Sequence, residues 1–261
     1  MNDEVPPAWK LPVGVNSSLW RYAHTPRLAE TEDDYFVDHP LFHADAYWID
    51  ERFNPPGRVI DLGCGVGRHS LRMAKLGFDV TAVELSRSML ETVGRKAEVE
   101  GVDVNRVEAN LCDLSCFPSQ TFDFAISMFS TIGMIRGHEA RTRSLKEAAR
   151  VLKPGGKFAL HAHNLYLNLR LKQGRRWLLG ELPKVLRGDP EAGDRRMTYR
   201  GIPGMEVHLY RWRELKRQVV QAGFRIDEVI AINEVDAQPI HYPWFLQSLR
   251  AGGWMIFAHK R

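Results

Sequence analysis

One short segment restricts this chain more than any other. Val59-Ile60-Asp61-Leu62 is an apolar run that contains an acid near its end, and it leads straight into Gly63-Cys64-Gly65-Val66-Gly67. Glycine has no Cβ to block a ligand, so alternating glycines after a strand let backbone N–H groups and the next helix N-terminus come close to one. The helical stretch that follows ends at Gly77, a natural left-handed cap. Val80 to Val83 read as a second strand ending at Glu84. Ser86 then stands where a helix N-cap belongs, and Met89, Leu90, Val93 and Ala97 recur at helical spacing. Short apolar runs alternating with helix-period stretches predict parallel βαβ units.

The alternation continues with a weaker third strand at Val104 to Ala109, a fourth at Phe122 to Phe129 and a helix from Glu139 to Leu152. Lys153-Pro154-Gly155-Gly156 is a turn signal feeding a fifth strand at Lys157 to His163. Trp212 to Ala222 reads as a helix capped by Gly223, Phe224 to Asn233 as a strand, and Trp254 to His259 as the last strand. Two pieces stand outside the pattern: residues 1–56, rich in Trp, Tyr, His and Pro, and residues 165–206, rich in Arg and Gly. The expected organisation is a lid at 1–56, a ligand-binding core at 57–164, an inserted cap at 165–206 and the rest of the core sheet at 207–261.

Composition agrees with a single α/β unit. The chain has 261 residues, 44% of them hydrophobic and 26% charged, enough to bury a full core. Its apolar runs are short and broken by charges, and Met1-Asn2-Asp3-Glu4-Val5 lacks the blocks of a secretory leader, so a cytoplasmic protein without a membrane partner is expected. Cys64, Cys112 and Cys116 are too few for a disulfide framework and lack a second pair at zinc-ligand spacing, so no metal is expected. The net charge is +4, and Arg170, Lys172, Arg175, Arg176, Lys184 and Arg187 form a basic stretch that would suit an anionic partner. No recognisable nucleic-acid module accompanies it.

A dinucleotide fingerprint would place its third glycine where Arg68 stands, although it shares the acid after the second strand. Val59 to Gly67 instead resembles the first motif of the class I S-adenosylmethionine-dependent methyltransferases. Val80-Thr81-Ala82-Val83-Glu84-Leu85-Ser86 is similar to their second motif, and Arg150-Val151-Leu152-Lys153-Pro154-Gly155-Gly156 to the turn before their fifth strand. With Gln221-Ala222-Gly223-Phe224, the resemblance covers roughly residues 57–164 and 207–261. It implies a Rossmann-like, doubly wound, mostly parallel seven-stranded sheet with helices on both faces and an antiparallel last strand. It also implies S-adenosylmethionine as cofactor, S-adenosylhomocysteine as product, and metal-independent chemistry. Gly63, Cys64, Gly65 and Gly67 would pack under the cofactor, Asp61 would lie near the methionine ammonium, and Glu84, with Leu85 beside it, would hold the ribose hydroxyls. At the adenine, Asn110 and Asp113 compete for the exocyclic amine, Asp113 slightly favoured, with Leu111 and Cys112 against the ring. Ser127 and Met128 follow the fourth strand, where ligands dock.

The stretch Ser127-Met128-Phe129-Ser130-Thr131 departs from the Asn/Asp-Pro-Pro-Tyr variant of the family, which argues against adenine and glutamine amines as acceptors. A base is needed only if the nucleophile carries a proton. Its candidates are His161, His163, His138, Glu139, His208 and His241, with His163 first because it ends the fifth strand. The aromatics Trp20, Tyr22, Tyr35, Phe36, Tyr47 and Trp48 suit a lid, and Tyr22, His138 and Tyr199 are candidate acceptor contacts. The leading reading is methyl transfer to a small molecule, an anionic one among the candidates. An RNA or protein methyltransferase and a non-catalytic cofactor-binding protein are the alternatives, and a dehydrogenase comes last.

Overall fold

The computed structural model describes residues 5–37, 39–170, 172–233 and 235–261, so most of the amino-terminal stretch read for a leader lies outside it. Four short helices open the chain: α1 (Ser17–Ala23), α2 (Pro26–Glu30), α3 (Glu32–Phe36) and α4 (Leu41–Arg52). Asn16 caps the first, its Oδ1 accepting the Leu19 N–H at 2.8 Å. The βα alternation then begins with β1 (Arg58–Leu62), α5 (Arg68–Lys75), β2 (Asp79–Glu84), α6 (Arg87–Glu100) and β3 (Asn105–Glu108). It continues through β4 (Phe122–Ser127), the single turn α7 (Thr131–Met134), α8 (His138–Val151) and β5 (Leu152–His163). A 3-10 turn over Leu165–Arg170 leads to α9 (Lys172–Arg187) and a separate hairpin of β6 (Asp194–Tyr199) and β7 (Ile202–His208). The chain returns to the main sheet with α10 (Trp212–Gln221), β8 (Phe224–Ile232), α11 (Gln247–Arg250) and β9 (Gly253–Lys260).

The seven-stranded sheet has the order β3-β2-β1-β4-β5-β9-β8, and only β9 runs antiparallel to its neighbours. This is the Rossmann-like sheet that the alternation and the resemblance imply. Strand order reverses between β1 and β4, the point at which open α/β sheets leave a crevice beyond the carboxyl ends of the strands. Side chains alternate across the sheet with a period of two, so Val59 packs with α4 and α5 on one face while Ile60 packs with α8 and α10 on the other.

Four local readings are revised. The assigned strand β5 begins at Leu152, so the Lys153-Pro154-Gly155-Gly156 turn lies within its first part, with Gly155 at φ +74°. Ser86 occupies the N-cap position of α6 but caps nothing with its side chain; its Oγ donates instead to the Ala23 carbonyl at 2.6 Å and pins α1 to the core. The amino-terminal segment is only partly a lid, because α4 buries Trp48 and Ile49 against the sheet. The hairpin runs to His208, two residues past the expected boundary of the cap, and rests on α1 through Ser18 Oγ donating to the Gly204 carbonyl at 2.8 Å and Asn16 Nδ2 donating to Glu206 at 3.0 Å.

Candidate functional site

The glycine loop takes its shape from φ values open to glycine. Gly63 sits at φ +80°, and a Cβ there would come within 2.3 Å of Thr131 Cγ2 on α7. Gly67 sits at φ +84°, N-caps α5, and packs under Val93 rather than facing the crevice. The Gly63 and Cys64 amides both donate to the Val83 carbonyl, fastening the loop to the end of β2.

Glu84, at that strand end, is bound by the loop it faces. Its Oε2 accepts the Gly65 N–H at 3.1 Å, and its Oε1 accepts the Leu85 and Ser86 N–H groups at 2.8 and 3.1 Å. Burial pushes the carboxyl above its ordinary range, and the three amides oppose that shift. A carboxylate offers about four lone-pair directions, so these amides leave room for a further donor from the crevice. Asp61 is buried on β1, where burial raises its pKa and a neighbouring His69 and the Ser70 hydroxyl, donating at 2.7 Å, counter the rise.

These groups line a cleft that opens to solvent at its mouth. Of the residues picked from sequence, Asp61, Gly63, Cys64, Gly65, Glu84, Leu85, Leu111, Met128, Tyr22 and Tyr199 stand in its wall, as does Asn110. Six others do not. Gly67 lies under α6, Ser127 is buried at the end of β4, and Cys112 is buried with its Sγ 3.4 Å from the Ala140 carbonyl. Asp113 is exposed and accepts the Ser115 N–H at 3.2 Å, whereas Asn110 donates to the Val13 carbonyl at 2.8 Å and so ties the entering chain to the cleft wall. His138 turns its Nδ1 toward Gln218 of α10 at 2.9 Å. His163 lies beside His161, ring centroids 5.1 Å apart, and burial pulls its pKa down to about 4.

The roof uses Tyr22, Phe36 and Tyr199, which the sequence had offered for a lid or an acceptor contact, together with Val15, Leu19 and Glu32, which it had not. Val15, Leu19 and Tyr22 reach over from α1 and the turn before it, Glu32 and Phe36 from α3, and Tyr199 from the hairpin. Glu32 and Arg200 form a buried ion pair that closes this roof, and Arg200 Nη2 also donates to the Leu28 carbonyl at 2.9 Å and to Thr31 Oγ1 at 2.7 Å. Arg68, directly after the last glycine, lies over the Phe42 ring with Phe36 and Phe129 each 5.3 Å away. Its Nη1 is buried without a hydrogen-bond partner, and desolvation lowers its pKa to about 10. Phe129 and Ser130 are consecutive non-glycine residues at φ +55° and +59°, an unfavoured backbone that sets the Phe129 ring in the wall. His69 also faces the cleft, its Nε2 3.8 Å from the fully buried Asp45 carboxylate. Arg68 and His69 had a signal, namely their place at the first positions of the helix that follows the loop.

With this geometry in place, residues 59–156 match the sequence profile described as "Methyltransferase domain". That segment has the sequence of a methyltransferase domain. A cypemycin N-terminal methyltransferase from Streptomyces sp. is 37% identical over 110 residues, 42% of this chain and 43% of the relative. An S-adenosylmethionine-dependent methyltransferase from Methanosarcina mazei superposes with a TM-score of 0.66 at 24% identity, covering 82% of this chain and 96% of the other. The 1,6-didemethyltoxoflavin-N1-methyltransferase of Burkholderia thailandensis, solved with 1,6-didemethyltoxoflavin and S-adenosylhomocysteine bound, gives 0.61 at 16% identity, over 90% and 84%. The chain spans about half the length of the curated relatives it matches. Around the methyltransferase domain, no group of three or more His, Cys, Asp and Glu among the described residues is arranged to hold a metal ion. No helix among them is long and apolar enough to cross a membrane.

Proposed function

We propose that the chain binds S-adenosylmethionine in this cleft and transfers its methyl group to a compact acceptor enclosed beneath the roof. The observation that carries the reading is the pairing of an amide-held Glu84 with a glycine loop in a cleft roofed by α1, α3 and the β6–β7 hairpin. Gly63, Cys64 and Gly65 would run beneath the cofactor, Asp61 would lie near its ammonium, and Glu84 would accept from the ribose. Leu85 and Leu111 would flank the adenosine. The place of Asn110 in the wall and of Asp113 outside it favours Asn110 as the adenine contact. Three carboxylates in the wall, Asp61, Glu84 and Glu32, suit a ligand with a sulfonium and an ammonium.

Methyl transfer from a sulfonium is an in-line displacement with a neutral thioether leaving, so the protein's task is chiefly to hold nucleophile, methyl and sulfur in line. Tyr22 and Tyr199 lie on the roof side, where the acceptor would sit, and the unpartnered Nη1 of Arg68 favours an acceptor that carries an anionic group. If the nucleophile is protonated, a base must lie within hydrogen-bond reach of it. His163 stays neutral well below pH 7 yet stands outside the cleft wall, whereas His69 stands in the wall. The neighbour from Burkholderia thailandensis, solved with 1,6-didemethyltoxoflavin and S-adenosylhomocysteine bound, supports the small-molecule reading at the level of the fold.

The test is transfer of labelled methyl from S-adenosylmethionine to a panel of small carboxylated phenols, amines and heterocycles, run beside polynucleotide and protein acceptors. Label on a small acceptor, lost in Arg68→Met when that acceptor is anionic, supports the proposal. Label only on polynucleotide or protein, or cofactor binding without transfer to any class, refutes it.

A further inference from the structure

Away from the cleft, α9 carries two adjoining apolar stripes, one buried and one exposed. Its inner face packs Leu178, with the partly buried Trp177 and Val185, against Leu165 and Leu209. Its outer face exposes Leu179, Leu182 and Leu186, spaced three and four residues apart on one side of the helix, and Leu186 is 85% exposed. Arg175, Arg176 and Arg187 flank these leucines and are exposed as well. The helix has one acid, Glu181, which is buried, accepts from Lys184 at 2.8 Å and from the Gly193 N–H at 3.2 Å, and so adds no negative charge to the outer face.

The 3-10 turn over Leu165–Arg170 touches both α9 and α11, and Arg170 Nη2 donates to the Arg250 carbonyl at 2.6 Å. The loop leading into α11 exposes Tyr242, Trp244 and Phe245, with Trp244 80% exposed, and residues 239–250 contain no acid. Apolar side chains outside the cleft are thus gathered on neighbouring elements and rimmed by cations. Single exposed leucines are ordinary on a soluble protein, but three on one side of a helix edged by exposed arginines, with three exposed aromatic rings just before a helix that meets the same 3-10 turn, point to an interface.

We propose that α9 and the loop before α11 dock on the surface of an anionic lipid bilayer, with the leucines and aromatic rings entering the acyl boundary and the arginines meeting the headgroups. A helix lying in the interface plane needs an apolar stripe edged by Lys and Arg, and Trp and Tyr settle at headgroup depth. Charge selects this occupant over two others. A two-fold contact between copies would set each copy's arginines against its partner's with no exposed acid on this face to meet them. A polynucleotide would use the arginines and leave the leucines and Trp244 in water. The expectation of no membrane partner rested on the lack of a long apolar run, which bears on spanning and not on surface contact.

The experiment is co-sedimentation of the full chain with phosphatidylcholine vesicles and with vesicles that also contain phosphatidylglycerol. Binding should be at least ten-fold tighter to the anionic vesicles and should weaken as salt rises. Leu179→Asp combined with Leu186→Asp should reduce it ten-fold or more, Arg175→Glu with Arg176→Glu should abolish the preference for anionic lipid, and Trp244 emission should shift to the blue on binding. An unchanged circular dichroism spectrum and unchanged cofactor affinity serve as controls that each variant is folded. Wild-type protein that stays in the supernatant with anionic vesicles at low salt overturns the proposal, as does binding that the leucine variants leave intact. A dimer in solution that the leucine variants dissociate, or a polynucleotide complex that they weaken, would assign the face to that partner and overturn it equally.

Discussion

Replacing Glu84 with alanine separates the cofactor reading from a bland one, and the structure sets the size of the effect. The carboxylate is half-buried in the cleft wall and accepts three backbone N–H groups, from Gly65, Leu85 and Ser86. Its loss removes one charge-assisted hydrogen bond to a ribose hydroxyl, worth about 1.5–3 kcal/mol. That corresponds to roughly a ten-fold to hundred-fold weaker complex. It also leaves three amides to find water in the vacated space, which loosens Gly65 and adds to the loss; unpaired buried amides cost about 1–3 kcal/mol each, and less where water reaches them. Calorimetric titration with S-adenosylhomocysteine and, in parallel, NAD, on wild type and Glu84→Ala, reads the effect, with thermal unfolding as the control for folding. A folded Glu84→Ala protein that binds S-adenosylhomocysteine within two-fold of wild type would refute the reasoning, and wild type that prefers NAD would redirect it to the dinucleotide enzymes.

Three further outcomes follow from the same geometry. Gly63→Ala, placing a Cβ 2.3 Å from Thr131 Cγ2 at φ +80°, should destabilise the fold and weaken S-adenosylhomocysteine at least ten-fold, and Thr131→Ser in the same chain should restore part of both, read by calorimetry and denaturant unfolding. Arg200→Met leaves Glu32 buried without its cation, a change that costs about 3–5 kcal/mol when a buried pair is broken; adding Glu32→Gln should recover most of that stability, whereas no loss in the single variant would show the pair to be idle. His163 has a folded pKa of about 4 against an ordinary value near 6.5, so below the latter the unfolded chain takes a proton that the folded one refuses. Its contribution is therefore complete above the ordinary value and falls away toward about pH 4, at up to about 1.4 kcal/mol per pH unit. His163→Gln should flatten this acid limb in urea titrations, with His161, whose pKa is also depressed, supplying what remains.

What the sequence disclosed and what it concealed divide by range. The Asp61-to-Gly67 loop, the acid that ends β2, and the Lys153-Pro154-Gly155-Gly156 turn are local devices, each with its backbone reason in adjacent residues, and the strands and helices around them fell close to their expected bounds. The roof is long-range. Glu32 and Arg200 lie 168 positions apart, and nothing in the composition of either neighbourhood announces that one will neutralise the other. Ser86 looked like a cap because of where it stands, yet the hydroxyl found a better use on Ala23, a residue 63 positions earlier that no periodicity could bring there. The choice between Asn110 and Asp113 turned on which way a short loop faces. His138 is a helix-start histidine whose partner, Gln218, comes from another helix packed alongside.

The charges of the cleft also bear on turnover. Asp61 has His69 and Arg68 near it and Glu32 has Arg200 and Arg68, so Glu84, whose partners are three neutral amides, is the wall carboxylate with the least cationic compensation. On the proposed reading, S-adenosylmethionine brings a sulfonium that these acids attract in a poorly hydrated site, and transfer converts it to a neutral thioether. The attraction that draws the cofactor in is thereby weakened in the product, while the hydrogen bonds to the ribose stay the same. Discrimination between cofactor and product then depends on the carboxylates near the sulfur, and discrimination between adenosine ligands and others depends on Glu84. Asp61→Asn should weaken S-adenosylmethionine and S-adenosylhomocysteine alike, because both keep the ammonium near which Asp61 is proposed to lie, and Glu84→Ala should likewise weaken both by a similar factor. A folded Asp61→Asn protein that binds both ligands within two-fold of wild type would mean that its carboxylate serves α5 through Ser70 alone.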